Sequence, residues 1–337
     1  MAWCCAGPMQ IKQLDPAEDA NDLAAAYPAF RAASLEAEPG FPAPGSARLR
    51  TRAVGRDGQF GQTLAATAPD GAVLGIGLYG GELERNLDLA WINLFVPEAA
   101  RQQGADLALM ARARELAVAD GRSRISVQLS AAIRPEAFAA QLGGRDLGIV
   151  LAAILDLGLI DHDQYAAWAA PSGPNAGYEL VRWSDRCPDT LAQSYCAAQD
   201  AMHDQPASEF AYEFTRTEVE QMRADEAHLT RYGAEHHVLA ALDGAGHVVA
   251  FTGFVRYPDE PEAVDIWSTG VARDHRGHGL GLRLKAAAGL WMRELDPAAR
   301  WVWTANHDGN APMLRINQAL GYQPAQRWYS YEFPVSG

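Results

Sequence analysis

Lysine is almost missing from this 337-residue sequence: only Lys12 and Lys285 occur, and every other basic side chain is arginine. With the abundant alanine, that bias points to a GC-rich genome rather than to a function. Cysteine is scarce too. Cys4, Cys5, Cys187 and Cys196 match no zinc spacing, and a chain of this length needs no disulfide staples. Free thiols in a reducing compartment, and no metal site, are expected. Long apolar runs are also lacking. The greasiest stretch, residues 147–160, is broken by Asp156 and too short to cross a bilayer, so it reads as a buried strand or helix. No basic stretch followed by an apolar run opens the chain, so neither a leader nor a membrane partner is expected, and the expected location is cytoplasmic. Positive charge is outnumbered: 28 Lys and Arg face 42 Asp and Glu, a net charge of −14. Such an acidic surface argues against nucleic acid as a partner.

What is present is a repeat. The first half carries Val96, Arg101 and Gly104; the second carries Val271, Arg276 and Gly279, and both read V-x-x-x-x-R-x-x-G. A tryptophan precedes each, Trp91 and Trp267. Further upstream, each half has an Asp-Gly pair between apolar runs, Asp70-Gly71 and Asp243-Gly244, a strong hairpin signal. Downstream, each has a short apolar strand (125–129 and 301–304), then a helical stretch closed by Leu-Gly: Leu142-Gly143 and Leu320-Gly321. Shared features in one order imply two copies of one unit. Length agrees, since 337 residues suit two cores. The Pro/Gly/Ser stretch 170–176 reads as the linker. Periodicity gives the second copy the order βααβββαβαβ, with helices at 188–202, 215–232, 279–295 and 310–320.

The residues Arg276, Gly277, His278, Gly279, Leu280 and Gly281 lie between an expected strand and an expected helix. Glycines there let the backbone turn tightly and remove Cβ atoms that would block a ligand. The helix start offers unpaired N–H groups and a positive dipole end, a geometry that suits a diphosphate, with Arg276 and His275 adding charge at the rim. A tight turn that binds nothing is the plain alternative. The spacing is one residue short of a dinucleotide fingerprint, and no Gly-Lys-Ser/Thr follows as in a P-loop.

R-G-H-G-L-G after T-G-V, followed by N-H-D-G-N-A-P-M-L-R-I-N-Q-A-L-G-Y, resembles the GNAT (N-acetyltransferase) superfamily over residues 178–333. The first copy resembles it in outline, and the pair is similar to the tandem GNAT proteins that include mycothiol synthase. The resemblance implies an α/β (α+β) fold of two tandem GNAT-like domains, each a mixed central β-sheet flanked by helices. The expected division is a degenerate domain at 1–170 and an acetyl-CoA-binding domain at 177–337. It also implies an N-acyltransferase using acetyl-CoA as acyl donor, acting on the amine of a small molecule, an antibiotic or a biosynthetic intermediate, by direct transfer. In that family the loop's backbone amides hold the CoA diphosphate. Val271 and Ala272 would then present backbone to the pantetheine arm where their strand splays from 301–305, and Asn306 and Asn310 would bond the pantetheine or its neighbours. For Asn310, helix capping is the alternative. A donor with a longer acyl or an aminoacyl group, or a binding protein without catalysis, are the competing readings. An oligomer is compatible with the sequence.

In the first copy the loop reads Arg101-Gln102-Gln103-Gly104-Ala105-Asp106. A carboxylate at the helix start competes with phosphate for the same amides, so this copy is expected not to bind CoA. Amine attack needs a proton acceptor; the resemblance implies a carboxylate on the fourth strand in that role, here Asp265, for which an exposed strand-edge charge is the alternative. Asp265 lies six residues before Val271, so it reaches the opposite face only if the strand is irregular. The family's tyrosine acid is replaced here by Asn317, so either Tyr322 or Tyr329 is the donor to the thiolate or the thiolate leaves unassisted. His236 and His237 are expected to be exposed at a strand start, Trp267, Trp301 and Trp303 to lie in the core, and His203 and His228 to sit near the acceptor pocket.

Overall fold

In the computed structural model, which describes residues 9–200, 212–214 and 216–335, the chain forms two compact units: residues 1–149 with 326–337, and residues 150–325. The chain runs through β1 (Gln10–Leu14), α1 (Ala20–Ala37), α2 (Ser46–Ala53), β2 (Gln59–Thr67), β3 (Val73–Glu82), β4 (Leu89–Phe95), α3 (Glu98–Arg101), α4 (Ala105–Ala119), β5 (Arg124–Ser130), α5 (Glu136–Gln141) and β6 (Arg145–Asp156). After α6 (His162–Ala169) the same order returns: β7 (Glu179–Ser184), α7 (Asp189–Gln199), α8 (Val219–Arg231), β8 (Glu235–Leu242), β9 (Val248–Arg256), β10 (Ala263–Val271), α9 (Leu280–Leu295), β11 (Trp301–His307), α10 (Ala311–Ala319) and β12 (Gln323–Pro334). The repeat is therefore real at the level of elements, and the fold is the expected pair of mixed sheets flanked by helices.

The units do not part at residues 170–176. The sheet of the first unit runs β1-β2-β3-β4-β5-β12, and that of the second runs β7-β8-β9-β10-β11-β6. Each half thus receives the final strand of the other. Seven residue pairs join β12 to β5, from Trp328 with Ser130 to Pro334 with Arg124, and seven join β6 to β11, from Asp156 with Trp301 to Val150 with His307. Packing and charge explain the exchange. Tyr331 and Phe333 of β12 enter the core of the first unit, Leu155 of β6 enters the core of the second, and Glu332 bridges Arg124 and Arg145. Expected boundaries of 1–170 and 177–337 cut across both exchanges.

Each sheet is covered on two faces. In the second unit, Leu280, Leu284, Ala288, Trp291 and Met292 form the buried stripe of α9 at helical spacing and pack on Val264, Val302, Leu239 and Phe254. Asp296-Pro297 stops that helix, since the residue before proline avoids the helical region. On the other face Cys196 and Met222, from α7 and α8, pack on Val238, Ala240 and Phe251. All nine residues of β9 are buried, as a strand covered on both sides requires. The hairpin turns form where the Asp-Gly pairs stand, with one difference. Gly71 is left-handed at φ +91°, but in the second turn Asp243 accepts hydrogen bonds from the Ala245 and His247 amides and Gly246, not Gly244, is left-handed. Helices expected at 188–202 and 215–232 are shorter, Asp189–Gln199 and Val219–Arg231, with Pro188 one position outside the first; residues 201–211 and 215 lie outside the description. Cys187 and Cys196 are free and buried, and burial pushes both thiols up. Among the described residues, no helix is long and apolar enough to cross a membrane.

Candidate functional site

Three features of the second unit build one site. The first is a wedge. β10 and β11 run parallel but pair only over Ala263–Asp265 with Trp301–Trp303, although β10 continues to Val271. Beyond Asp265 the two strands separate, leaving the backbone edge of β10 turned toward the gap. At its far end Val271 still pairs with Ala250 of β9, and the Ala272 amide donates to the Val249 carbonyl. The wedge is the splay expected beside Val271 and Ala272.

The second feature is a bulge. Pairing of β10 with β9 slips between Ile266 and Ser268, leaving Trp267 as the extra residue. It decides the parity of Asp265. Val264 and Ile266 pack on the α9 side, so Asp265 between them points to the α7 side. Asp265 and Val271 sit opposite Val255 and Ala250, five residues apart on β9, and therefore face opposite sides. Trp267 ends half-buried with its ring 5.1 Å from that of His236. The tryptophans 267, 301 and 303 are half-buried rather than core residues, Trp267 as the extra residue of the bulge and Trp301 under the guanidinium of Arg300.

The third feature is the loop after β10. Residues Arg273–His275 make one 3₁₀ turn, then Gly277 and Gly279 take φ of +82° and +77°, where any side chain is strained. Gly279 is the N-cap of α9 and no side chain caps that helix; nor does its first turn hold an acidic residue. First-turn amides are thus left for an outside acceptor, at the positive end of a 16-residue helix. A Cβ added at Gly277 would meet nothing within 4 Å. Gly281 differs. It is buried, and an added Cβ would lie 3.0 Å from Ile316 Cδ1, so it serves packing between α9 and α10. Leu280 is a core residue, 1% exposed. Arg276 bends back, its Nε donating to the Val271 carbonyl at 3.0 Å. In the first unit Arg101 likewise donates to the Val96 carbonyl. V-x-x-x-x-R is thus a staple that closes the loop, a role the sequence did not reveal.

Asn306 and Asn310 do not point at one place. Asn306 Oδ1 accepts from Asn317 Nδ2 at 2.8 Å, and the buried Asn317 keeps its own Oδ1 without a partner among the described residues. Asn310 caps α10, accepting from the Met313 amide. Tyr322 is 6% exposed among the α9-side core residues, where burial raises its phenol, and Lys285 Nζ lies 4.8 Å from its ring centroid. It stands on the opposite face of the sheet from Asp265, so the two expected catalytic groups are not brought together. His237 is also a correction: it is 5% exposed, stacked 4.9 Å from Phe254 and bonded to Ser184 through Nδ1 at 2.8 Å, and burial lowers its imidazole. Strand pairing puts it beneath Trp291 rather than in solvent. His236 is half-buried. His228 lies on α8 against Tyr232, and His203 lies outside the described residues.

The sequence also concealed a strap. Residues 169–178, which include the expected linker 170–176, lie against the loop. Arg283, 5% exposed on α9, donates to the carbonyls of Ala169, Asn175 and Tyr178 at 3.1, 2.9 and 2.9 Å. Tyr178 Oη meets Nδ1 of His275 at 2.8 Å and of His278 at 3.1 Å. The signal was an arginine one residue from a core leucine on an apolar helix, which demands partners.

The first unit repeats the wedge, with β4 and β5 pairing only over Leu89–Trp91 and Arg124–Ser126, and Gly104 capping α4 at φ +81°. It lacks the bulge, since β3 and β4 pair in one register. Asp106 Oδ1 accepts from the Leu107 amide at 2.9 Å, so the helix start supplies its own acceptor, and burial raises that carboxyl. A cavity of about 550 Å³ lies there, lined by Val96, Asp106, Leu129 and Phe138 among others.

The model of the acetyltransferase (GNAT) family matches residues 199–322, inside the second unit. A tandem GNAT protein from the clavulanic acid biosynthesis pathway, in a structure without AcCoA, superposes at TM-score 0.81 and 24% identity, covering 98% of this chain and 99% of its own. A GCN5-related N-acetyltransferase from Sphaerobacter thermophilus matches at TM-score 0.65 and 18% identity, over 97% of this chain and 96% of its own. One from Kribbella flavida matches at 0.53 and 17%, over 90% and 95%. No curated protein matches by sequence. The fold is that of a tandem GNAT protein, and the match to the acetyltransferase family model falls within its second unit.

Proposed function

We propose that the second unit binds acetyl-CoA and transfers the acetyl group directly to the amine of a small molecule. The observation that carries this reading is the alignment of the β10–β11 wedge with an uncapped helix start whose glycines 277 and 279 keep the approach clear. A diphosphate accepts from those amides, and the edge of β10 offers main-chain partners to the pantetheine arm. Residues of this chain fit the coenzyme on two further counts: Asn317 Oδ1 is a buried acceptor without a partner among the described residues, and no acid occupies the first turn of α9.

In this reading Asp265, turned to the α7 side by the bulge, accepts the amine proton. Asn317 cannot donate a proton, Tyr322 is locked in the core on the other face, and Tyr329 belongs to the first unit, paired with Leu129, so in this reading the second unit releases the thiolate without a side-chain acid of its own. The first unit, with Asp106 on its own helix amides, takes no coenzyme, and one equivalent binds per chain.

Isothermal titration calorimetry with CoA and acetyl-CoA tests the reading. We expect one equivalent, and Gly277→Val or Gly279→Val to weaken it about tenfold or more, since a branched side chain at positive φ shifts the loop and fills the approach. Absence of heat with any CoA species, or unchanged affinity in both variants, defeats the assignment. Thiol release over a panel of amines then separates an enzyme from a protein that only binds. Two equivalents, the second lost on altering Gly104, would defeat the claim for the first unit.

A further inference from the structure

The strap at residues 169–178 brings a side-chain amide beside the start of α9. Asn175 is 7% exposed, and its Oδ1 accepts from the Ser172 amide at 2.9 Å. That bond settles which end of the amide is which, because an N–H donor requires the oxygen. Nδ2 is therefore turned the other way, and it lies 3.5 Å from where a Cβ would stand on Gly279. It has no hydrogen-bond partner among the described residues. An amide donor without a protein partner, on an otherwise buried side chain beside an open helix start, is placed to meet an incoming acceptor.

We propose that Asn175 Nδ2 is a further donor to the coenzyme diphosphate, and that Tyr178 is a positioning residue for the loop that binds it. This rests on the acetyl-CoA reading above. The location is the argument. Nδ2 stands beside the left-handed N-cap of α9, so an anion bonded to the first-turn amides lies within its reach and receives a side-chain donor from outside the loop. The strap cannot drift, because one guanidinium holds three of its carbonyls, at Ala169, Asn175 and Tyr178. Tyr178 acts through the histidines. One hydroxyl has one proton and two lone pairs, so it donates to one Nδ1 and accepts from the other. His275 and His278 are then held in opposite tautomers. Those two residues flank Arg276 and Gly277, so the bridge fixes the segment whose shape exposes the amides. The charged and titratable groups around it are Arg273, Asp274 and Arg276 on the loop itself, Arg283 on α9, and Asp243, whose carboxyl is lowered chiefly by backbone hydrogen bonds from its turn and in small part by His275.

Asn175→Asp is the decisive variant, because the carboxylate still accepts from the Ser172 amide but presents charge where the donor was. In the full-length protein, calorimetry should show the CoA dissociation constant rising about 30-fold or more, with the melting temperature within about 2 °C of wild type. 3′-Dephospho-CoA should lose affinity equally, which places the donor at the diphosphate. Tyr178→Phe should weaken CoA about fivefold. It should raise the acetyl-CoA KM while leaving kcat at saturation unchanged. His278→Asn, which can still meet the hydroxyl, should keep more affinity than His278→Leu. If Asn175→Asp proves unstable, Asn175→Ala, which removes the donor without adding charge, carries the test of the donor, and Tyr178→Phe that of the positioning role. Wild-type binding with both variants within about twofold of it overturns the inference while leaving the acetyl-CoA reading intact. A loss confined to CoA and absent with dephospho-CoA overturns the diphosphate assignment. Failure of the wild type to bind CoA is instead failure of the function itself.

Discussion

Lys285 is one of two lysines in the chain and the more surprising one, at 4% exposure over the ring of Tyr322. Burial disfavours its ammonium and brings its pKa down to about 7 from 10.5. The unfolded chain therefore binds the proton more tightly than the folded one between those values. Stability gained by this residue rises with pH across that window, and below about pH 7 the folded protein bears the full cost of a buried charge. Lys285→Met should raise the melting temperature at pH 6 and by progressively less toward pH 10; equal gains at both ends would show that the amine is not desolvated. At this scale the sequence was partly legible. The two left-handed glycines and the competing Asp106 were readable, because their chemistry is local. Asn175, Tyr178 and Arg283 were not, since a Pro/Gly/Ser stretch looks the same whether it hangs free or is strapped to a helix. Nor could the buried placement of Tyr322 be read, because it depends on a helix that packs from elsewhere in the chain.

At the level of elements, α9 does two jobs with one run of glycines. Gly279 opens its start, whereas Gly281 lets α10 approach and Gly289 lets Tyr165 approach, an added Cβ there lying 2.9 Å from the ring. The sequence presented Gly277, Gly279 and Gly281 as a set, but packing separates them. Gly281→Val should cost about 1–3 kcal/mol of stability by overpacking against Ile316, and Ile316→Ala should recover part of that in the double variant. CoA affinity of the folded variant should stay within about twofold of wild type. A large loss of affinity with unchanged stability would return Gly281 to the ligand site. Strand and helix identities were readable from periodicity, and so was the hairpin. The bulge at Trp267 was not, since a one-residue slip leaves no mark in composition, yet it alone sends Asp265 to the α7 side.

Across the whole molecule, the repeat was visible and the exchange of final strands was not. Two copies in a row predict two domains in a row; only pairing partners reveal that β6 and β12 change places. Fragments cut at the apparent linker, 1–170 and 177–337, should therefore fail to melt cooperatively on their own, each holding a strand whose partners are on the other. Co-expressed, they should recover a sharp transition by circular dichroism. Independent folding of either fragment would show the exchange to be dispensable. The exchange also sets a timetable for synthesis. Arg124 of β5 waits for Glu332, 208 residues later, which at ordinary translation speeds is about 10–40 s. Through that interval the nascent first sheet carries a bare edge of unpaired amides and carbonyls, the kind of surface other chains latch onto. Yield in a foreign host should then depend less on how stable the finished molecule is than on what shields β5 while the ribosome is still at work.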